Sequence, residues 1–396
     1  MNQASPIKRL LAQRSTQIIL ILTLYGLIES HLPLIVHQGL YTISLFLKDV
    51  LIWVMPLTVG IFIASTILSF KRKAPLLILV LLIFETCSNF CSVWFSFLTA
   101  HIADAAAAPM AEECFKAHFE PLWRLGLTKP DWWSASRGVL GGIAIGFLTL
   151  WQPLAWMGPR LVRARIFMEF LLTRIFARLI PLFVLGFVAY MYQTQLFTHL
   201  LENYITVTLW LLTFLTLYIS FLFWASAGFS FTGGWRAFRN LLPAGGTAFA
   251  SGCSLSTMPW TIQGTAKNLD DPSLAQAIIP STTNVQQIGD VIANTFLCFL
   301  LYTHFYGSTP DPFLWLKFSL AFVVARFATA AILGGAIFIM IPIYEEYLNF
   351  SGEMIAILLA FNVIFDPIIT SSNVLANGAL CRIFERFWQK ITRAAI

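Results

Sequence analysis

The sequence predicts an all-α polytopic membrane protein with eight transmembrane helices and two re-entrant helical hairpins. Three observations predict it. Of 396 residues, 58% are hydrophobic and only 11% charged, where soluble domains carry roughly 25% charged residues. Eight apolar stretches approach or exceed the roughly 20 residues that span a bilayer: near 16–37, 40–70, 75–101, 138–158, 166–192, 204–231, 276–303 and 355–383. Two further apolar stretches, 237–266 and 314–348, are broken by small residues and proline.

The first stretch follows Lys8, Arg9 and Arg14, as a signal peptide does. It runs on to Val36 without a small-x-small cleavage site, so it reads as a first span. Further basic clusters come after alternate spans: Lys71, Arg72 and Lys73 after the second, Arg160, Arg163 and Arg165 after the fourth, Arg236 and Arg239 after the sixth, and Arg382, Arg386, Lys390 and Arg393 after the eighth. With eight spans all of these fall on one side, which makes that side cytoplasmic and places both termini there, in a cell (inner) membrane. The net charge of +6 is therefore topological. No basic run interleaved with aromatics points to nucleic acid.

The broken stretches follow from the same alternation. If either crossed the membrane, every cluster downstream would change sides, so each must return to the side it came from. The first breaks at Gly245-Gly246 and in Ser251–Pro259, the second at Gly334-Gly335. Irregular backbone at membrane depth is tolerated only where protein buries it or water wets it. Two opposed broken segments, each followed by a polar helix, are the pattern of a secondary transporter built from inverted repeats.

The candidate residues lie in this half. The first tip reads Ser254-Leu255-Ser256-Thr257-Met258-Pro259, whose hydroxyls and free amides suit an anionic group; an ordinary loop with proline opening a helix is the plainer reading. The seventh span carries Thr282, Thr283, Asn284, Gln286, Gln287, Gly289, Asp290 and Asn294, with Gly289 as the expected unwound turn; polar helix–helix contacts explain such residues equally well. In the eighth, Asn362, Asp366, Thr370, Asn373 and Asn377 recur at helical spacing on one face, and Pro367 predicts a kink. An ionised carboxylate at mid-bilayer costs about 3 kcal/mol even on insertion scales, so Asp366 must face protein, an ion or a substrate. Lys48, Asp49, Glu85, Arg174, Arg178 and Arg326 also lie in spans; a proton path is one use for each, and snorkelling or paired side chains are the plainer reading. Cys87, Cys91, Cys114, Cys253, Cys298 and Cys381 form no CxxC or Cys/His set; no structural metal, cofactor or obligatory disulfide is expected, and Cys87 and Cys91 read as small core residues. The glycines of 138–146 sit in an apolar span, which argues against a phosphate loop.

From about Arg236 to the end, the chain resembles the dicarboxylate/amino acid:cation symporters, the glutamate-transporter homologues. Ser254-Leu255-Ser256-Thr257-Met258-Pro259 is similar to that family's serine-rich first tip, Ile332-Leu333-Gly334-Gly335 stands where its second tip lies, and Asp366-x3-Thr370-x2-Asn373-x3-Asn377-Gly378 follows its eighth-helix spacing. Upstream, Ala177–Tyr190 and Leu45–Ile67 are similar to its fifth and second helices. The resemblance implies an elevator-type homotrimer. Residues 1–235 would be mainly scaffold and trimerisation helices, with those near 75–101 and 204–231 bordering the transport part, and 236–396 would be the transport core. Asp366 would accept a substrate's α-amino group, Asn373 would donate to its α-carboxylate, and Thr370 would line the site. The two tips, with Ser254, Ser256 and Thr257 in one and Gly334 and Gly335 in the other, would gate it.

The departures narrow the expectation. Ile369 stands where acidic-substrate members carry arginine, and Gly252 at the alternative arginine position. A side-chain carboxylate thus lacks a bidentate partner, which points to a small neutral amino acid or related carboxylate. The family's cation-binding aspartates are replaced by Ile288 and Asn377, leaving Gln286, Gln287, Asp290, Asn373 and Asn377 as the cation candidates and Na⁺ or H⁺ as the coupling ion. A dicarboxylate carrier and a non-transporting amino-acid receptor are the alternatives. An intramembrane enzyme using Asp366 and Asp290 is disfavoured, because no nucleophile or metal set accompanies them.

Overall fold

The computed structural model describes residues 23–70, 75–106, 119–124, 130, 132–133, 135–149, 156–193, 196–255, 257–283, 285–329 and 336–394. Among these the regular structure is all helix. The helices are α1 (Leu34–Phe70), α2 (Pro75–Ala106), α3 (Ala135–Leu148), α4 (Met157–Phe170), α5 (Ala177–Gln193), α6 (Leu196–Ser226), α7 (Phe231–Ser251), α8 (Met258–Ala266), α9 (Ser273–Thr282), α10 (Ile288–Tyr306), α11 (Pro312–Thr329), α12 (Ala336–Leu348) and α13 (Gly352–Ala394). Taken singly, Val80–Ala105, Ile205–Ser226 and Ile288–Tyr306 are long and apolar enough to cross a membrane, and α13 is so if its two bent parts count as one.

Several predicted boundaries move, each for a local reason. The break between the first two stretches lies at Glu29–Pro33 rather than near residue 39: Leu32 is extended ahead of Pro33, as proline demands, and Gly39 continues α1. The expected loop around Arg160–Arg165 is helical, because α4 runs through a π-helical turn, Leu171–Phe176, into α5. The sixth stretch stops at Ser226, where Gly228 and Phe229 both take positive φ and Ser230 caps α7 by accepting from the Gly233 amide at 3.2 Å. Gly245-Gly246 does not break α7; Gly245 instead lets Leu375 pack within 3.0 Å of where its Cβ would stand. Residues 16–22, Cys114, Asn284, Ser256, Gly334 and Gly335 lie outside the described residues. Cys87 and Cys91 are exposed rather than core.

Two pairs of helices pack together within the two broken stretches. In the first, α7 and α8 pack against each other, close enough that a Cβ on Gly264 would lie 2.6 Å from the Asn240 carbonyl oxygen. Asn268 clamps the base, accepting from Asn240 at 2.7 Å and donating to the Ala237 carbonyl at 3.0 Å. The second pairs α11 with α12, with Asp311 capping α11 through the amides of Phe313 and Leu314.

α10 forms the centre. Of its most apolar window 67% is buried, against 39% for α2 and 33% for α6. Ile288, Val291, Ile292, Ala293, Phe296 and Phe299 are fully enclosed, and α2 and α13 pack on α10. Ser96 donates to the Ile292 carbonyl at 3.2 Å, and Phe97, Phe299 and Trp315 interlock as rings.

The glycine-rich stretch has a packing role. A Cβ on Gly142 would stand 2.5 Å from the Gly60 carbonyl oxygen, and one on Gly138 would collide with the Pro56 carbonyl. Small residues four apart let α1 and α3 meet backbone to backbone. Gly141 on the same helix has nothing within 4 Å of its would-be Cβ. The matched pair makes a test by thermal unfolding in detergent. Gly142→Ala should cost about 1–3 kcal/mol of stability by overpacking, whereas Gly141→Ala should be neutral or gain up to about 1 kcal/mol from helix propensity.

Candidate functional site

The site forms where the first hairpin tip meets the middle of α13. α13 bends by 64° between Gly352–Asn362 and Ile364–Thr392. Pro367 predicts a kink but places it one turn early: its ring clashes with the carbonyl four residues back, which is that of Val363. Asp366 therefore lies in the first turn of the second part. Thr370, one turn on, donates to its Oδ1 at 3.3 Å.

The hairpin reaches this carboxylate through Gly252. The residue ends α7 in the left-handed conformation, φ 58°, and a Cβ there would lie 3.0 Å from Asp366 Oδ2. Glycine satisfies both demands: it tolerates the backbone angle and leaves the volume beside the carboxylate open. Beyond it the tip is tied internally, with Thr257 Oγ1 donating to the Ser254 carbonyl at 2.9 Å. Pro259 lies in the first turn of α8, where its missing N–H costs nothing. Ser254 is half-buried and Thr257 buried.

The seventh stretch is interrupted between α9 and α10, with Val285, Gln286 and Gln287 outside either helix, rather than at Gly289. Gly289 is helical, and its role is contact: a Cβ there would lie 2.7 Å from both the Ile369 carbonyl oxygen and Ser372 Cβ. That closeness lets Asn373 Oδ1 accept from the Asp290 amide at 3.0 Å, satisfying a first-turn donor that the break leaves open. The Asn373 amide N–H₂ is thereby oriented with its donors unspent among the described residues.

A second polar set lies in the same layer. Asp290 forms an ion pair with Arg326 of α11, whose Nη2 also donates to Gln287 Oε1 at 3.0 Å. Asn294 donates to Asp290 Oδ1 at 2.8 Å and exchanges hydrogen bonds with Asn362, 3.1 and 2.6 Å. Arg326 is wholly buried, with Phe322 under its guanidinium at 5.7 Å. Sequence reasoning left Arg326 among the snorkelling or paired side chains; it is paired, at the centre of the fold. Its position inside an apolar hairpin arm was the available signal.

The predicted residues thus divide. Asp366, Thr370 and Gly252 come together, with Asn373 one turn below Ile369 and Thr370 and anchored to α10. Ile369 is buried in the apolar core. The cation candidates have separate partners: Gln286 contacts Ser88 at 2.9 Å, Gln287 and Asp290 engage Arg326, and Asn377 accepts from Thr282 at 2.8 Å.

Removing one partner of a buried ion pair leaves the other uncompensated, at about 3–5 kcal/mol. Arg326→Met alone should therefore lower the unfolding temperature sharply. The double variant Arg326→Met with Asp290→Leu should recover much of the loss in the same detergent measurement.

Residues 163–387, more than half of the chain and spanning α4 to α13, match the profile described as the sodium:dicarboxylate symporter family. No curated protein matches the chain. The profile covers each residue of the Asp366 site and of the Arg326 network, and it describes membrane transporters rather than enzymes. The chain belongs to the sodium:dicarboxylate symporter family.

Proposed function

We propose that the chain is a secondary active symporter for a small amino acid with a neutral side chain, or a related small carboxylate, driven by Na⁺ or H⁺. The observation that carries this reading is the Asp366 carboxylate, set just beyond the bend of α13 and facing Gly252, whose missing side chain leaves the space beside it free. A carboxylate in that setting suits an ammonium group. Asn373, held by its oxygen to α10, offers amide donors for the α-carboxylate. Thr370 lines the site, with Ser254, Ser256 and Thr257 in one gate and Gly334 and Gly335 in the other. Gln286, Gln287, Asp290, Asn373 and Asn377 are the residues through which a cation would act.

The same reading carries the architecture: eight spans with both hairpins re-entrant, inverted repeats, and an elevator-type motion. Residues 236–396 would move against a scaffold within 1–235, in a homotrimer of the inner membrane with cytoplasmic termini. Large exposed apolar side chains on the scaffold helices, among them Leu140, Phe147, Ile166 and Phe167, fit contact with lipid or sister subunits. A dicarboxylate substrate is the second reading, favoured by the family description. It requires a guanidinium or ammonium at the site, and the buried guanidinium of α11 already serves Asp290 and Gln287.

Uptake into proteoliposomes under imposed Na⁺ or pH gradients tests this, with a labelled neutral amino acid and a labelled dicarboxylate side by side. The neutral amino acid should be concentrated, and binding without flux would instead identify a receptor. Asp366→Asn should weaken transport roughly tenfold or more, the scale of a lost charge-assisted hydrogen bond. Unchanged uptake by that variant removes Asp366 from the amino-group role. Ile369→Arg, with folding checked by size exclusion, should raise the uptake of acidic substrates; no gain would show that this position does not set selectivity.

A further inference from the structure

The description of the matching family names sodium, and two of the cation candidates, Gln287 and Asp290, stand together at the start of α10. A hard cation is held by several oxygens that converge on one point. The oxygens of this layer are already engaged. Asp290 Oδ2 meets Arg326 Nη2, and Asp290 Oδ1 accepts from Asn294 at 2.8 Å. Gln287 Oε1 accepts from the same Arg326 nitrogen at 3.0 Å. Asn294 and Asn362 turn their oxygens to one another's amides at 2.6 and 3.1 Å. Asn373 Oδ1 accepts from the Asp290 backbone amide at 3.0 Å. Each of these oxygens has a donor, so the set does not fit a sodium ion.

The positive charge in the layer comes from the protein. Arg326 is wholly buried, and Phe322 lies under its guanidinium at 5.7 Å. A guanidinium keeps its charge in a protein at any working pH. It is weakly hydrated and holds its donors in a plane, and here one nitrogen serves both the carboxylate and the Gln287 oxygen. A carboxylate at membrane depth demands a cation of some kind, and a side chain meets that demand. A second cation beside it would meet like-charge repulsion that water does not damp. Glu85, a buried carboxylate of α2 beside the same break, is met instead by the Gln286 amide.

Resting on the symporter reading above, we propose that the cation acting through Gln287 and Asp290 is Arg326 itself: its guanidinium takes the place of a coupling sodium ion, and no sodium binds in this layer. The exchange has a mechanical consequence. A free ion can leave such a layer alone. Arg326 belongs to α11, the first helix of the second broken stretch, so its charge parts from Asp290 only when α11 shifts or the side chain swings away from α10. One ion pair therefore sets both the charge balance of the layer and the position of that helix. It also reaches the Asp366 site, because the amide of Asp290 holds Asn373.

The test is the response of thermal unfolding to Na⁺ in detergent, with choline replacing Na⁺ at constant ionic strength. It uses the full-length wild type, Arg326→Met, Arg326→Lys and the double variant Arg326→Met with Asp290→Leu. Binding to the folded state raises the unfolding temperature. Arg326→Met leaves the Asp290 carboxylate without its cation, so Na⁺ should raise its unfolding temperature by about 2–4 °C more than that of the double variant. The wild type and Arg326→Lys keep a side-chain cation and should respond no more than the double variant does, whatever sodium does elsewhere in the molecule. A wild-type response larger than that of the double variant places sodium at Asp290 and overturns the proposal. An Arg326→Met response no larger than that of the double variant overturns it too. If Arg326→Met does not survive purification, the wild type and the double variant decide alone: equal responses support the proposal, and a larger wild-type response sinks it. Either adverse result leaves amino-acid uptake by the wild type, and with it the symporter reading, untouched. A wild type that concentrates no labelled amino acid or dicarboxylate in proteoliposomes removes that reading and leaves the sodium comparison as it stands.

Discussion

The gap between α9 and α10 is the constraint around which the rest of the structure is arranged. A helix interrupted inside an apolar core exposes amides and carbonyls that neither lipid nor hydrocarbon side chains can satisfy. Two neighbouring helices send polar groups to meet them: α2 gives Asn89 to the Val285 carbonyl and α13 gives Asn373 to the Asp290 amide. Side chains flanking the gap are paired as well, Thr282 with Asn377, and Asp290 and Gln287 with Arg326 of α11. The polar stripe of α13 and the polar load of α9 and α10 are two sides of one requirement, and the candidate site uses what that requirement leaves over: Asp366, Thr370 and the donor side of Asn373.

Much of this was legible in the sequence. Five polar residues at helical spacing in an apolar stretch demand a partner surface, and α10 is that surface for Asn362, Asn373 and, through α9, Asn377. The first interrupted stretch became two packed helices because Gly252 takes a left-handed conformation at the end of α7 and Pro259 opens α8. Other features followed from contacts that no local pattern records. Gly289 read as a flexible point because glycine is permissive, yet it is helical and small because α13 lies against it. The proline signal was correct in kind and displaced by four residues, since the steric conflict falls on the carbonyl of the preceding turn. Glu85 and Arg326 look alike in sequence, as single charges in apolar helices. Only the tertiary arrangement separates them: Arg326 has a carboxylate partner, and Glu85 has an amide.

Charge is placed sparingly around this break. Asn377 bridges α9 and α13 as an uncharged amide, accepting from Thr282, a contact that needs no counter-ion. Charge is present at Asp290, paired with Arg326 within the fold, and at Glu85 on a different helix.

The backbone contact between α1 and α3 sets a different kind of limit. At Gly60, Gly138 and Gly142 the fit is defined by atoms that are missing, so every substitution moves in the same direction, towards more volume, and none can be compensated by trimming a side chain opposite, because the opposing surface is carbonyl oxygen. Such a seam cannot drift by paired exchanges of large and small residues as an ordinary core does. Over evolutionary time it should act as a fixed datum in an otherwise permissive apolar surface, the line against which the remaining helices are free to change.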